Sequence, residues 1–147
     1  MHSSASLAQL LATPYARAYD NLLELCRTNH LRLVLANFSM AANDSSDAAL
    51  VHFFINHAYP GAHADIWSNI AHSLLVETLA SRHPEVLLVD THPLLDGHPE
   101  KFNDFVHFNQ AGEQQFAETM FDAIRPVLEK ELSAATSNPS NQPSPQP

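Results

Sequence analysis

The sequence predicts an α/β chain built on a parallel sheet. Two short, almost continuously apolar runs, Leu31 to Asn37 and Val86 to Asp90, read as strands covered on both faces. Between them lies a well-patterned helix, and helical patterns flank the pair. The order helix, strand, helix, strand, helix makes the centre a right-handed βαβ crossover.

The first element is a helix from about Ser6 to Asn29. Leu7, Leu10, Leu11, Tyr15, Tyr19, Leu22, Leu23 and Cys26 recur at helical spacing, and Pro14 kinks or restarts it near Thr13. Cys26 is the chain's one cysteine. It forms no internal disulfide, and no base is spaced to activate it, so it is expected as a buried helix residue. After the first strand, Phe38 to Ala64 is a long connection with a helix expected over Asp47 to Ala58 and a turn at Tyr59-Pro60-Gly61. It leaves the carboxyl end of a parallel strand, where α/β proteins place ligand contacts, and is expected to wall a substrate cleft.

Asp65 to Arg82 is the central helix. Ile66, Ile70 and Leu74, with Trp67, Leu75 and Leu79, form its apolar face. Asp65 suits the positive N-terminus, and His83-Pro84 ends the helix. Thr91 to Asn103 reads as a loop marked by Pro93, Gly97 and Pro99, and Asp90 at its start is expected to cap it. The closing helix runs to about Leu132, bent at Pro126. Its stripe is Phe116, Met120, Ile124 and Leu128, widened by Ala117, Phe121 and Val127. From Ser133 onward Ser, Asn, Gln and Pro dominate, which predicts a disordered tail over 133–147 beyond a domain of 1–132.

With 147 residues, 45% of them hydrophobic, the chain suits one domain at most. Its formal net charge of −9 argues against nucleic acid or an anionic membrane as a partner. No run reaches transmembrane length. Met1-His-Ser-Ser-Ala-Ser lacks the basic and apolar regions of a signal peptide, and the compartment stays open. Two parallel strands cannot hide both faces or satisfy their edges. The sheet is therefore expected to be completed elsewhere, by self-association or by pairing with an N-terminal half.

The stretch with chemistry in it is Asp104-Phe-Val-His107-Phe-Asn109-Gln-Ala-Gly112. A carboxylate three residues before an imidazole can reach Nδ1 across one turn of chain. That contact fixes the tautomer and leaves Nε2 to act as a base. Asn109 is a good N-cap for the closing helix, which would anchor the loop.

The string resembles the C-terminal block of the SGNH hydrolases, the GDSL-type esterases and lipases. Asp104, His107, Phe108, Asn109 and Gly112 occupy that block's places, and the likeness spans roughly residues 6–132. It implies that His107 is the general base of a Ser-His-Asp triad, that Asp104 orients it, and that the substrate is a small carboxylic ester. It also implies that the fold is the C-terminal part of a three-layer, flavodoxin-like α/β/α domain, with two parallel strands and three main helices. No cofactor or metal is implied. The family pattern further needs Gly-Asp-Ser for the nucleophile and Gly-x-Asn-Asp for the oxyanion hole. The three glycines, Gly61, Gly97 and Gly112, stand in neither string. The resemblance thus implies a hydrolase part holding base and acid without a nucleophile, its N-terminal strands missing.

Other readings of the residues compete. Asn43-Asp44 could be a degenerate Gly-x-Asn-Asp, or a polar loop tip. Ser39 follows a strand as an α/β-hydrolase nucleophile would, but Asn37-Phe-Ser-Met-Ala41 lacks both elbow glycines. His52, His57 and His63, or His92 and His98, could build a zinc site with Asp44, Asp47 or Asp65, although no defined ligand spacing is present. A scaffold or pairing half-domain without chemistry is the remaining alternative.

Overall fold

Val34–Ala36 (β1) and Leu87–Val89 (β2) pair in parallel, with Val34 opposite Leu87 and Ala36 opposite Val89. The computed structural model describes residues 4–136, and among these the sheet has two strands. The rest is mostly helical: α1 (Ser4–Leu11), α2 (Pro14–Thr28), α3 (Ala48–Phe53), α4 (Ala62–Arg82), α5 (His92–Leu95) and α6 (Gln110–Thr136). A π-helical turn, Phe54–Ala58, continues α3, and a 3₁₀ turn spans Pro99–Lys101. The mixed α/β class and the parallel pairing expected from the sequence are both present. No helix among the described residues is long and apolar enough to cross a membrane.

Local chemistry sets the element ends. The N-terminal helix breaks at Thr13, whose hydroxyl accepts the Ala16 N–H at 3.1 Å while Pro14 opens α2. The first strand is shorter than its apolar run. His30 takes a positive φ of 54°, and the Leu31 N–H still bonds back to Cys26 O at 2.8 Å. Residues 30 and 31 therefore terminate α2 rather than extend β1. In the predicted loop after β2, Pro93 sits in the first turn of the short α5. α4 starts at Ala62, ahead of Asp65, because the Ala64 and Asp65 N–H groups already bond to Gly61 O. α6 passes Leu132 and includes Ser133–Thr136, correcting the expectation of disorder there. Ser-Ala-Ala-Thr contains no helix breaker. The rest of the expected tail, 137–147, lies outside the described residues.

Two apolar clusters hold the chain together. In one, Leu23 of α2, Leu35 of β1, Leu75, Val76 and Leu79 of α4, and Val86 meet around the sheet. In the other, Met40, Phe54, Ile66, Phe102 and Phe105 meet where loops cross. Each fully buried side chain of this size contributes roughly 1.5–3 kcal/mol relative to exposure. Cys26 is buried as expected. Trp67, expected on the buried face of α4, is 62% exposed, and Phe121 and Leu128 of α6 are also exposed.

The Leu87 N–H donates to Leu33 O at 3.0 Å. Backbone groups alternate sides along a strand. Leu33 and Leu35 therefore turn theirs toward β2, while Val34 and Ala36 turn theirs away.

Candidate active site

Residues 102–109 form a tight loop that closes on itself. Phe102 and Phe108 make an antiparallel bridge, and the Asn103 N–H donates to His107 O at 2.8 Å. The Phe102 and Phe108 ring centroids lie 4.8 Å apart with the rings tilted by 43°, and Phe108 meets Phe116 of α6. Asn109 caps α6 as its side chain suggests: its Oδ1 accepts the Ala111 and Gly112 N–H groups at 3.0 and 3.1 Å. Its amide also donates to Glu100 O at 2.8 Å. Gly112 is required by close approach, because a Cβ there would stand 2.2 Å from Lys101 O.

On this loop the two predicted residues meet. Asp104 Oδ2 lies 2.8 Å from His107 Nδ1. Asp104 Oδ1 accepts the Val106 and His107 N–H groups at 2.9 and 2.8 Å. Those backbone bonds, more than the imidazole, hold the Asp104 carboxyl down at about 2, well below its ordinary value. The carboxylate is thus ionised and fixed, and it favours a proton on Nδ1. No described residue bonds Nε2. Both side chains are open to solvent, His107 at 76% and Asp104 at 52%.

The loop rests on the segment leaving the carboxyl end of β1. Phe105 packs on Phe54, and its carbonyl accepts the Ala41 N–H at 3.0 Å. Asp96, which sequence reasoning did not single out, accepts the Met40 N–H at Oδ1 and the Asn43 amide at Oδ2, both at 2.8 Å. The Gly97 N–H returns a bond to Met40 O at 2.8 Å, and Gly97 takes the φ of 77° this reversal needs. Asn69 of α4 reaches Asp96 Oδ1 only at 3.5 Å. Its own buried Oδ1 is unpartnered among the described residues.

The other candidates lie apart from this pair. Ser39 is buried and its hydroxyl shares a 2.8 Å bond with Thr91 Oγ1, so it is not presented to an imidazole. Thr91 also bonds Asn37, whose amide donates to Asp90 at 2.7 Å. Asp90 accepts the His92 N–H and so caps the following turn. Asn43 serves Asp96 and its own loop, where the Ser45 N–H bonds its Oδ1. His52, His57 and His63 are exposed. His57 stacks on Phe53, His92 Nε2 sits 2.9 Å from Phe38 O, and His98 meets Glu100. Among the described residues no group of three His, Cys, Asp or Glu side chains is placed to hold a metal ion.

Two clefts lie against the loop that carries the pair; Asp104 lines one of them and His107 neither. One, of about 380 Å³, is lined by Tyr59, Asp65, Asp104 and Val106. The other, of about 540 Å³, shares Asp65 and Val106 and extends along Phe38, Met40 and His72. Phe38 and Met40 of the long connection thus line a cleft. His72 was invisible to the sequence reading. Burial lowers its pKa, opposed by the Ala36 carbonyl and reinforced by His92. Its Nδ1 lies 2.8 Å from the Tyr15 hydroxyl. Comparison with known protein families, with curated proteins and with solved structures gave no match to this chain.

Proposed function

We propose that Asp104 and His107 are the acid and base of a serine esterase site of the SGNH (GDSL) type, set in the C-terminal part of a flavodoxin-like α/β/α domain. The observation that supports this most is the 2.8 Å contact between Asp104 Oδ2 and His107 Nδ1, with Nε2 unbonded among the described residues and facing solvent. The carboxylate is already oriented by two backbone N–H groups, so the ring is held without reorganisation.

In this reading His107 Nε2 takes the proton of a serine hydroxyl as its oxygen attacks an ester carbonyl. It then gives that proton to the departing alkoxide, leaving an acyl-serine. Water repeats the sequence: His107 takes its proton, and the serine oxygen leaves with it as the acid is released. Asp104 stabilises the imidazolium in both halves. The serine and the oxyanion donors come from other polypeptide, because Ser39 is engaged in the interior and neither family string occurs here.

On p-nitrophenyl acetate the chain alone is expected to show no enzymatic turnover, and Ser39→Ala to change nothing. Joined to polypeptide encoded upstream that carries a Gly-Asp-Ser, it is expected to turn over, and His107→Ala to lower that rate by roughly 10²–10⁴-fold. Turnover by the chain alone that Ser39→Ala abolishes would overturn the proposal. So would turnover by the joined protein that survives His107→Ala.

A further inference from the structure

We propose that the outer edge of β1 is a docking site for one extended strand of another polypeptide, apolar at alternate positions and neutral or basic overall. Val34 and Ala36 turn their N–H and C=O groups away from β2, and no other backbone group bonds them among the described residues. The nearest side-chain group is His72 Nε2, 3.5 Å from Ala36 O, at the outer limit of a hydrogen bond. Val34 offers a donor and an acceptor and Ala36 a donor, with the Ala36 carbonyl held only at the long His72 contact, and groups at that spacing suit another extended backbone.

The edge does not stand alone. His72 also lines the cleft of about 540 Å³, so the cleft and the backbone edge meet through this side chain. Tyr15 and Phe38, both about half exposed, stand in the same wall with Leu10 and Met40. Alternate side chains of a docked strand would cover this apolar surface while its backbone completes the hydrogen bonds of β1. Charge selects the occupant. Asp65 lies in the cleft wall and the chain carries a formal −9, so a second copy meets like charge and a neutral or basic strand does not.

The proposal needs no serine and no turnover, so it and the esterase reading can fail separately. The probe is a blocked peptide of alternating valine and threonine with lysine at each end. Its control carries N-methyl groups on alternate residues, which keep the side chains and remove the backbone donors. In the full chain, the peptide is expected to slow amide exchange at Val34 and Ala36 by roughly tenfold or more, and the control to leave it unchanged. Ala36→Pro removes a donor that β2 does not use. It is expected to abolish protection at Val34 while the Leu35 amide stays protected by the sheet. Should Ala36→Pro disturb the fold, the comparison of the two peptides decides. Unchanged exchange at Val34 and Ala36 with the peptide, or equal protection by the N-methylated control, would overturn the proposal. So would protection that grows with the chain's own concentration alongside a dimer in sedimentation, which would assign the edge to a second copy.

Discussion

The two apolar clusters are built by opposite means. Around the sheet, Leu and Val side chains from α2, α4, β1 and β2 interlock, and the packing carries the structure. Around Met40, Phe54 and Phe105 there is no sheet. Loops are stitched there by side chains bonding backbone: Asp96 to Met40, Asn109 to Ala111 and Gly112, Asp104 to Val106 and His107. The loop end is nearly complete in itself. The sheet end is less so: among the described residues β1 pairs on one side only, and Leu25 and Leu31 are 58% and 62% exposed. The candidate chemistry is thus held by local polar geometry, and the shortfall in burial falls on the scaffold.

The comparison can be broken with one truncation in each cluster. Leu75, fully buried in α4, is expected to cost about 2–5 kcal/mol as alanine and Phe105, the buried residue of the loop, about 3–5 kcal/mol, read from urea midpoints. Only Phe105→Ala is expected to move the imidazole resonances of His107, because the Phe105 ring anchors that loop on Phe54 while Leu75 packs in the other cluster. If Leu75→Ala shifts them equally, the two ends are one cooperative unit and the division fails.

Asp96→Ala is next in size. It strands the Met40 N–H and the Asn43 amide, and is expected to cost about 1–3 kcal/mol. Gly112→Ala belongs to the same range, about 1–3 kcal/mol, since its Cβ meets a backbone carbonyl that cannot swing aside. Both are measured as losses in denaturant midpoint. A Gly112→Ala variant as stable as the parent would show that the loop and α6 can part without penalty.

These residues also mark how far the sequence could be read. Asp104–His107 and the Asn109 cap were legible because their partners lie within three residues, so one turn of chain decides the geometry. The break at Thr13 was legible for the same reason. Asp96 was not, because its partners Met40 and Asn43 lie 56 and 53 positions away and only the fold brings them together. The Asn37–Asp90–Thr91 cluster is equally remote in sequence. Trp67 misled because periodicity assumes that each apolar stripe finds cover, and here the cover is incomplete. The strand run overreached at Leu31, since apolar character cannot show that a helix cap is still using that residue.

The smallest expected effect is the sharpest test of local control. The Asp104 carboxyl titrates in the folded loop near 2, below its ordinary 3.8. A depressed acid stabilises the folded form in full above its unfolded value and loses that contribution as pH falls toward the folded one. Between about pH 4 and 2, then, the Val106 and His107 amide resonances are expected to shift together as the Asp104 carboxylate takes a proton. Leu35 and Leu87 in the sheet should stay in place over that range until global unfolding intervenes. Asp104→Asn keeps an acceptor for both amides but removes the titration, so its spectrum should be flat there. If the loop amides of Asp104→Asn still move with the parent's midpoint, another acid governs the turn, and the backbone bonds to Asp104 are not what orients His107.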